Sequence, residues 1–406
     1  MNCRFCHAPL EHLFLSLGAA PPSNAYLPAD ALGRPESCYP LDVHVCGECF
    51  LVQLDQYESP EEIFTDYAYF SSYSESWLEH CQRYAGEIIR RLKLGPGSLV
   101  IEAASNDGYL LQYFAAQGIP VLGIEPARNV AEVARRKGIP TETLFLGKET
   151  GRRLAGQGRT ADLLIGNNVL AHVPDLNDFV EGLRALLKPG GVLTMEFPHL
   201  MHLVDQVQFD TIYHEHFSYF SFLTARRVFA AHQLTVFDVE EVPTHGGSLR
   251  IYAARAESAP VVSARVQDLE NRELAAGYGD LTLYLGFHRR AEALKREILE
   301  FFIEAGRSGK TVAGYGAPAK GNTLLNYCGI KRDFLPYTVD RNPYKQGKFL
   351  PGSRIPVMPP DQIHRTRPDY LVILPWNLKT EVMEQMAGIR EWGGKFVTFM
   401  PRVEIL

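Results

Sequence analysis

The chain has 406 residues, of which 46% are hydrophobic and 22% charged, and its formal net charge is -6. This length allows two domains and a small module, and the acidic balance gives no basic surface for nucleic acid. No run of about 18 apolar residues is present, and no basic-then-apolar leader begins the sequence, so we expect a cytoplasmic protein with neither nucleic-acid nor membrane partners.

The first segment, residues 1 to about 60, is expected to be rich in loops and contains five of the seven cysteines. Four of these form two CxxC pairs, and the set is Cys3, Cys6, Cys46 and Cys49. Four thiolates are the ligands of a closed tetrahedral zinc site, in which no position is left for water or substrate. We therefore predict a structural zinc ion. The other cysteines, Cys38, Cys81 and Cys328, are interpreted as buried thiols.

Apolar residues at helical spacing predict a helix over residues 75–94, and strand and helix patterns then alternate as far as residue 198. The predicted strands are 98–104, 120–126, 161–170 and 192–198, and the helices between them are 108–118, 127–138 and 176–191, the last ended by a Pro-Gly-Gly stop. This alternation predicts a parallel sheet with helices on both faces.

Polar residues follow three of these strands. The turn after the first strand contains Ser105, Asn106, Asp107 and Gly108, and small residues there let a ligand approach the backbone and a helix N-terminus. The turn lacks the GxGxxG spacing of a dinucleotide site. Glu125 ends the second strand, where an acid can accept hydrogen bonds from both ribose hydroxyls of an adenosine; the alternative is a solvated acid. The third strand ends at Asn167 and Asn168.

A cluster of ionisable residues, Tyr213 to His216, lies among aromatic residues in the loop after the fourth strand. Such surroundings shift pKa values and suit proton transfer. On a strand, His214 and His216 would share one face; the alternative is a surface loop with incidental histidines. A tyrosine-rich run, residues 66–73, could cover the cofactor pocket or only pack against the zinc module.

The C-terminal part begins with one or two long helices over residues 265–306 and continues as a second series of strands and helices. Its turn over residues 314–322 follows a strand and opens a helix, so its backbone N–H groups and Lys320 could hold a pyrophosphate. Asp340 ends the next strand, where it could contact a sugar or ribose hydroxyl. The alternative is a tight turn with an exposed lysine.

Six blocks, taken in order, resemble the sugar C-methyltransferase family over essentially the whole chain. They are the two CxxC pairs, SNDGYLLQ (105–112), NNVLAHV (167–173), YHEHFSYFS (213–221), THGGSLR (244–250) and GYGAPAKGNTLLN (314–326). The resemblance implies an α/β protein: a class I methyltransferase Rossmann-like domain between an N-terminal zinc-binding module and a C-terminal second Rossmann-like domain. We place these parts at residues 61–255, 1–60 and 256–406.

The resemblance also implies the residues that carry out the chemistry. The S-adenosylmethionine site would consist of Ser105, Asn106, Asp107, Gly108, Glu125, Pro126, Asn167 and Asn168. The proton-transfer site would consist of His216, Tyr213, Glu215, Tyr69 and His172. The nucleotide sugar, expected to be dTDP-linked, would contact Lys320, Asn322, Gly316 and Asp340.

The implied reaction methylates C3 of a nucleotide-linked 4-keto-deoxysugar through an enolate. We assign the base to His216. Tyr213 or Tyr69 would donate a hydrogen bond to the enolate oxygen, and Glu215 would orient the imidazole or relay the proton.

Three alternative functions remain open from the sequence: an O- or N-methyltransferase for a small molecule, a nicotinamide-dependent oxidoreductase that uses the GYGAPAKG turn, and a zinc-containing protein that binds or modifies nucleic acid. The EAASNDG turn argues against the second and the acidic charge against the third.

Overall fold

A computed structural model describes residues 1–57, Ser59 and 71–406 of the chain. Strands in these residues form three sheets, of four, seven and six strands. Most of the tyrosine-rich run, including Tyr69, lies outside the described residues. Within them, every helix is either too short or too polar to cross a bilayer.

The first sheet is antiparallel and joins the N-terminal segment to a short strand from the middle of the chain. Its strands, in order of pairing, are β1 (His12–Ala20), β2 (Tyr39–Val45), β3 (Val52–Leu54) and β9 (Ser218–Tyr219). Leu41, Val43 and Val45 alternate with less buried residues along β2, as in a strand with one face on a core. Most of the segment lies outside these strands, as expected for a loop-rich segment, but the sequence did not predict the sheet that the strands form.

Helix α1 (Glu75–Leu92) forms where the apolar spacing predicts it. The Ser74 hydroxyl accepts a hydrogen bond from the Trp77 N–H at 3.3 Å, which is an N-cap. At the other end, Lys93 adopts a left-handed conformation with φ 54°. The buried face consists of Trp77, Cys81, Tyr84, Ala85 and Ile88.

The central sheet contains seven strands in the order β10-β11-β8-β7-β4-β5-β6. These are β4 (Val100–Ala103), β5 (Val121–Ile124), β6 (Thr141–Glu142), β7 (Ala161–Asn167), β8 (Leu187–Pro198), β10 (Leu234–Val242) and β11 (Ser248–Arg255). The helices along this part of the chain are α2 (Leu111–Ala115), α3 (Arg128–Arg136), α4 (Lys148–Gly156), α5 (Leu176–Leu186), α6 (Leu200–Asp205) and α7 (Phe222–Ala231).

Strands β8, β7, β4 and β5 are parallel, as predicted, and so is the short β6, which was not predicted, whereas β11 runs antiparallel to both of its neighbours. The connection from β10 to β11 is only residues 243–247, and a link this short joins antiparallel strands. The predicted end of α5 is also wrong. This helix ends at Leu186, because Pro189 disfavours helical backbone at the residue before it, and Pro189, Gly190 and Gly191 lie inside β8.

The strand order reverses between β4 and β7. After β4 the chain adds β5 and β6 on one side, and it then returns to place β7 on the other side of β4. Ligands of open α/β sheets bind at the carboxyl ends of the strands at such a reversal. The turns after β4 and β7 therefore border one crevice.

Three helices fill residues 264–307 where one or two were expected, because Gly277, Gly279 and Asp280 interrupt the run and Asp280 caps the next helix. They are α8 (Ala264–Ala275), α9 (Leu281–Leu285) and α10 (Phe287–Arg307).

The last sheet has the order β14-β13-β12-β15-β16-β17 and is parallel except for β17. Its elements are β12 (Val312–Tyr315), α11 (Ala319–Cys328), β13 (Thr338–Val339), β14 (Val357–Met358), α12 (Gln362–Thr366), β15 (Tyr370–Ile373), α13 (Lys379–Gln385), β16 (Lys395–Thr398) and β17 (Glu404–Ile405).

The N-terminal sheet packs on the C-terminal helices. The ring of Phe14 in β1 stacks on Phe287 of α10 with centroids 4.7 Å apart, and Phe50 stacks on Tyr284 of α9 at 5.7 Å. One hydrophobic cluster contains these residues together with the core of the last sheet. The first and last parts of the chain therefore share a core.

Candidate active site

The four predicted zinc ligands come together. The Sγ atoms of Cys3 and Cys49 are 3.6 Å apart and those of Cys6 and Cys46 are 3.4 Å apart, and all four lie within 4.8 Å of one another. Tetrahedral zinc with Zn–S bonds of about 2.3 Å separates its sulfur ligands by about 3.8 Å. The donor set therefore fits a closed zinc site.

The three remaining cysteines lie outside this cluster, and all seven are free thiols. Cys81 and Cys328 are buried as expected. Cys38 is exposed, so its interpretation as a buried thiol is wrong. It lies just before β2, in the long insertion between the two CxxC pairs, where its side chain reaches solvent.

The turn after β4 is compact and strained. Ala104, Asn106 and Gly108 all have positive φ angles, of 56°, 48° and 77°. A Cβ at Gly108 would lie 2.9 Å from Cγ1 of Ile139. Only glycine suits that position, because a side chain would meet both the left-handed backbone and this contact. The turn therefore brings its backbone close to whatever occupies the crevice.

Glu125 holds the turn from the neighbouring strand end. Its Oε2 accepts the Asn106 N–H and its Oε1 accepts the Ala127 N–H, both at 2.8 Å. Burial raises the pKa of Glu125 to about 7, although these two backbone hydrogen bonds oppose the shift. A carboxylate has about four acceptor positions, so each oxygen can still accept one ribose hydroxyl. Pro126 lies between Glu125 and Ala127 and continues the same edge.

Several buried oxygens around this crevice have no hydrogen-bond partner among the described residues. They are Ser105 Oγ, Asp107 Oδ1, Asn167 Oδ1 and Asn168 Oδ1. Buried polar atoms are normally paired, so such a set at the carboxyl ends of β4 and β7 suits a polar ligand. The predicted cofactor residues therefore lie around one crevice and fit the adenosine and amino-acid groups of S-adenosylmethionine.

The proton-transfer residues form a hydrogen-bonded chain. The His216 Nδ1–H donates to the Thr211 carbonyl at 3.1 Å, because a carbonyl can only accept, and His216 Nε2 therefore accepts the Tyr213 hydroxyl at 2.7 Å. The ring of His172 lies edge-on at 4.6 Å between centroids. The nitrogen that carries the lone pair is thus fixed by Thr211.

His216 is enclosed by protein but keeps some exposed surface, as expected for a residue lining a cleft. Burial, and then the neighbouring His172, lower the pKa of His216 well below 6.5. Burial also lowers the pKa values of His172 and His245 to about 4. At neutral pH His216 is therefore uncharged and can accept a proton.

Glu215 does not orient the imidazole, which corrects one expectation. Its Oε1 accepts a hydrogen bond from Asn24 at 2.6 Å, whereas Thr211 holds the ring of His216. His214 also points elsewhere, with Nε2 3.3 Å from the Tyr39 carbonyl. The two histidines share no strand face, because residues 213–217 form a turn and β9 begins only afterwards.

Lys320, at the start of the helix that follows the C-terminal turn, faces the proton-transfer residues. The Nζ atom of Lys320 donates to Asn377 Oδ1 at 2.8 Å and lies 4.5 Å from the centroid of the Trp376 ring. The charge of Lys320 acts on His216 and Asp210. The alternative of a tight turn with an exposed lysine is therefore excluded, since Lys320 is only partly exposed and faces the proton-transfer residues.

The other predicted substrate residues, Asp340, Gly316 and Asn322, make contacts that hold the turn between β12 and α11 in place. Asp340 accepts the N–H groups of Ala317 at 2.7 Å and Asn342 at 2.8 Å. Gly316 has φ 90°, and a Cβ there would lie 2.5 Å from Cδ of Pro375. Asn322 is buried and donates to the Ser23 carbonyl at 2.6 Å. These three residues thus shape the turn and its contact with the N-terminal module.

The sequence reasoning missed residues from the insertion between the two CxxC pairs. Asn24 contacts Glu215, Ser23 contacts Asn322, and the Tyr26 hydroxyl donates to the Ala317 carbonyl, which also accepts Lys345 Nζ at 2.8 Å. The unusual length of this insertion was the one available signal. It places the N-terminal module against both residues 213–217 and the C-terminal turn.

His245 is another missed residue. It adopts φ 56° in the turn after β10, and its Nε2 lies 3.0 Å from Asn168 Nδ2. Buried Glu196 accepts the hydroxyl of Thr244 at 2.8 Å in the same turn. Burial alone would raise the pKa of Glu196, but the hydrogen bond to His80 and the charge of Arg250 outweigh it and lower the pKa to about 2. A permanently charged carboxylate therefore anchors this turn.

Comparison with known proteins gives matches along all three parts of the chain. Family models match residues 3–64 as a zinc binding domain, residues 77–239 as a methyltransferase domain and residues 243–401 as the C-methyltransferase C-terminal domain. The C-methyltransferase NovU of Streptomyces niveus is 36% identical over 405 residues, covering 100% of this chain and 96% of NovU.

Two further similarities cover the methyltransferase part. A ubiquinone biosynthesis O-methyltransferase of Chelativorans sp. (strain BNC1) is 30% identical over 105 residues, or 26% of this chain and 42% of that protein. The structure of magnesium protoporphyrin IX methyltransferase (ChlM) from Synechocystis PCC 6803 with bound SAM aligns with 48% of this chain and 88% of its own, at 17% identity and a TM-score of 0.34.

The first prediction concerns zinc. Replacing Cys46→Ser should abolish zinc binding at the four-cysteine site and lower the melting temperature by at least about 5 °C, because zinc sites of this kind contribute several kcal/mol to folding and each kcal/mol is worth about 2–4 °C in a domain of 150–250 residues. Metal analysis and thermal unfolding measure both effects. Cys38→Ser is the matched control and should keep the zinc ion of the four-cysteine site; loss of that zinc would contradict the assigned ligand set.

The second prediction concerns Glu125. Glu125→Gln removes the charge and one acceptor, and we expect about a 10-fold higher dissociation constant for S-adenosylmethionine by calorimetry. Because only ionised Glu125 offers all its acceptor positions, wild-type affinity should fall as the pH drops through about 7, and the variant should lose this component. Exposed Glu132→Gln on α3 is the control. An unchanged affinity in Glu125→Gln would refute the role.

Proposed function

This chain belongs to the S-adenosylmethionine-dependent C-methyltransferase family, and on that premise we propose that it methylates C3 of a nucleotide-linked 4-keto-deoxysugar. The family membership rests on full-length similarity to a C-methyltransferase, and it makes S-adenosylmethionine and zinc the cofactors. The strand order places a class I methyltransferase fold at the centre. We also propose that the chain divides into a zinc module, a methyltransferase domain and a C-terminal domain at residues 1–60, 61–255 and 256–406.

The observation that carries the proposal is the orientation of His216. Carbon methylation needs a base that first removes a proton from a C–H group, whereas an oxygen or nitrogen acceptor already has a lone pair. His216 is neutral, and its Nε2 lone pair points toward the Tyr213 hydroxyl inside the cleft. A desolvated imidazole with a fixed tautomer is suited to this proton transfer.

In the proposed reaction the C4 ketone acidifies the C3–H bond. His216 Nε2 takes this proton, either directly or through the Tyr213 hydroxyl, and the electron pair moves to the ketone oxygen. S-adenosylmethionine supplies the electrophilic methyl group, which the enolate carbon takes with loss of the thioether. Tyr213 or Tyr69 would donate a hydrogen bond to the developing oxyanion, and Lys320 contributes positive charge nearby.

The surroundings of the cleft support a nucleotide-linked acceptor. Lys345 Nζ donates to the Ala317 carbonyl in the turn between β12 and α11, and Lys320 lies in the first turn of α11, a ten-residue helix whose N-terminus follows this turn. A helix N-terminus and nearby cations favour phosphate groups. We therefore assign the diphosphate, in the first instance of a dTDP sugar, to this region, and the keto-sugar ring to the space beside His216.

The proposal places the enzyme in deoxysugar biosynthesis and in the cytoplasm. Free thiols support this location, because all seven cysteines lack disulfide partners, and such thiols persist in reducing compartments.

Hydrogen exchange tests the reaction type. With a dTDP-4-keto-deoxysugar and S-adenosylhomocysteine in D₂O, the enzyme should exchange one C3 proton for deuterium without methyl transfer, as seen by mass spectrometry and NMR. With S-adenosylmethionine, the sugar should gain one methyl group on C3. A product methylated on oxygen, with no exchange at carbon, would overturn the proposal in favour of an O-methyltransferase.

A variant tests the base. His216→Asn should reduce kcat by about 10²–10⁴-fold, and His214→Asn, two residues away and pointing at the Tyr39 carbonyl, is the matched control that should keep activity. For the wild type at saturating S-adenosylmethionine, kcat/KM for the sugar should stay level from pH 8 to 7 and fall only below pH 6.5, because protonation of His216 requires the lower pH set by its depressed pKa. Normal turnover in His216→Asn would remove His216 from the mechanism.

A further inference from the structure

We propose that the chain has a second metal site, formed by His199, His202 and Glu241, that takes a divalent transition-metal ion such as zinc or cobalt. One ligand atom from each residue lies within 4.8 Å of the other two. Two imidazoles and one carboxylate suit such an ion. The site involves neither the four cysteines nor the proton-transfer residues, and it does not depend on the proposed function.

His199 is the residue that points to a bound ion. It precedes α6 and is 1% exposed, and its Nε2 lies 2.6 Å from Oε1 of the fully buried Glu273. A carboxylate can only accept, so Nε2 carries the hydrogen and a neutral ring has its lone pair on Nδ1. That nitrogen is buried and, among the described residues, has no hydrogen-bond partner. Buried polar atoms are normally paired, and a metal ion would supply the missing partner.

Glu273 gives this arrangement the form of a carboxylate–histidine–metal triad. Metal-bound histidines usually donate their second N–H to a carboxylate, which fixes the tautomer and ring orientation. Glu273 is itself held in place, because it accepts the N–H groups of Phe222 at 2.6 Å and Leu223 at 2.8 Å at the start of α7. The His199 ring is therefore fixed before any metal binds.

The other two ligands come from adjacent elements. His202 lies one helical turn after His199, and residues three apart on a helix share a face; their rings are edge-to-face with centroids 5.5 Å apart. Glu241 comes from the end of β10. Its Oε2 is paired with Arg272 at 2.6 Å, which leaves Oε1 for the ion. His202 and Glu241 are progressively more exposed, so the site opens to solvent and leaves room for water ligands.

The site lies directly under the turn that carries His245. The His199 N–H donates to the Gly247 carbonyl at 3.1 Å, and a Cβ at Gly247 would lie 2.5 Å from the imidazole of His202. An ion that joins α6 to β10 would therefore brace residues 244–247. We assign it a structural role in holding this turn.

Cobalt binding tests the proposal in the full-length protein with zinc in its four-cysteine site. After dialysis against a weak chelator, wild type should bind about one equivalent of added Co²⁺, with weak visible absorption and without the thiolate charge-transfer bands that cysteine ligation gives. His202→Ala and Glu241→Gln should each weaken this binding at least 10-fold, while His288→Ala, at a half-buried histidine on α10, should leave it unchanged.

Unfolding curves recorded in EDTA compare the stability of the folds without bound Co²⁺. Both variants should melt close to wild type under these conditions, which would show that their weaker Co²⁺ binding comes from lost ligands and not from a lost fold. The proposal is overturned if wild type binds no Co²⁺ beyond the four-cysteine site, if the absorption shows thiolate ligation, or if both variants bind Co²⁺ as tightly as wild type.

Discussion

The pairing of β9 with β3 is the constraint on which residues 213–217, the proposed catalytic segment, depend. Ser218 and Tyr219 extend the N-terminal sheet by pairing with Gln53 and Val52, only a few residues after the CxxC pair that contributes Cys46 and Cys49. On its other side the segment is tied by the Phe217 N–H to the Ala171 carbonyl at 2.7 Å. Residues 213–217 therefore lie between the zinc module and the central sheet, and contacts with both position the proposed base.

The cleft combines low polarity with one fixed positive charge. His216, His172 and His245 are all uncharged at neutral pH because burial disfavours their imidazolium forms, while Lys320 is held by Asn377 and the ring of Trp376. A cation next to a neutral histidine disfavours protonation of that histidine, and it favours an anion that forms on a bound ligand. This distribution of charge suits a reaction that passes through an enolate.

The three parts of the chain are distinct in sequence but share their interior. The insertion between the CxxC pairs contacts the catalytic segment through Asn24 and the C-terminal turn through Tyr26. The Nε1–H of Trp376, from the last sheet, donates to buried Asp210 at 2.7 Å. Substrate groups bound between these parts would thus be contacted from three sides, and the geometry of the cleft depends on contacts between parts as much as on any one of them.

Local pattern was enough to identify the zinc ligands, the alternating strands and helices of the centre, and the residues at the ends of β4, β5 and β7. Spacing determines these features: CxxC places two thiolates together, and apolar periodicity identifies each element. Sequence reasoning failed where a long-range contact decides the outcome. The pairing of β9 with β3 and the hydrogen bond that joins Glu215 to Asn24 both depend on partners far away in the chain. Such contacts depend on packing, which no short stretch of sequence encodes, and so only the tertiary structure decided them.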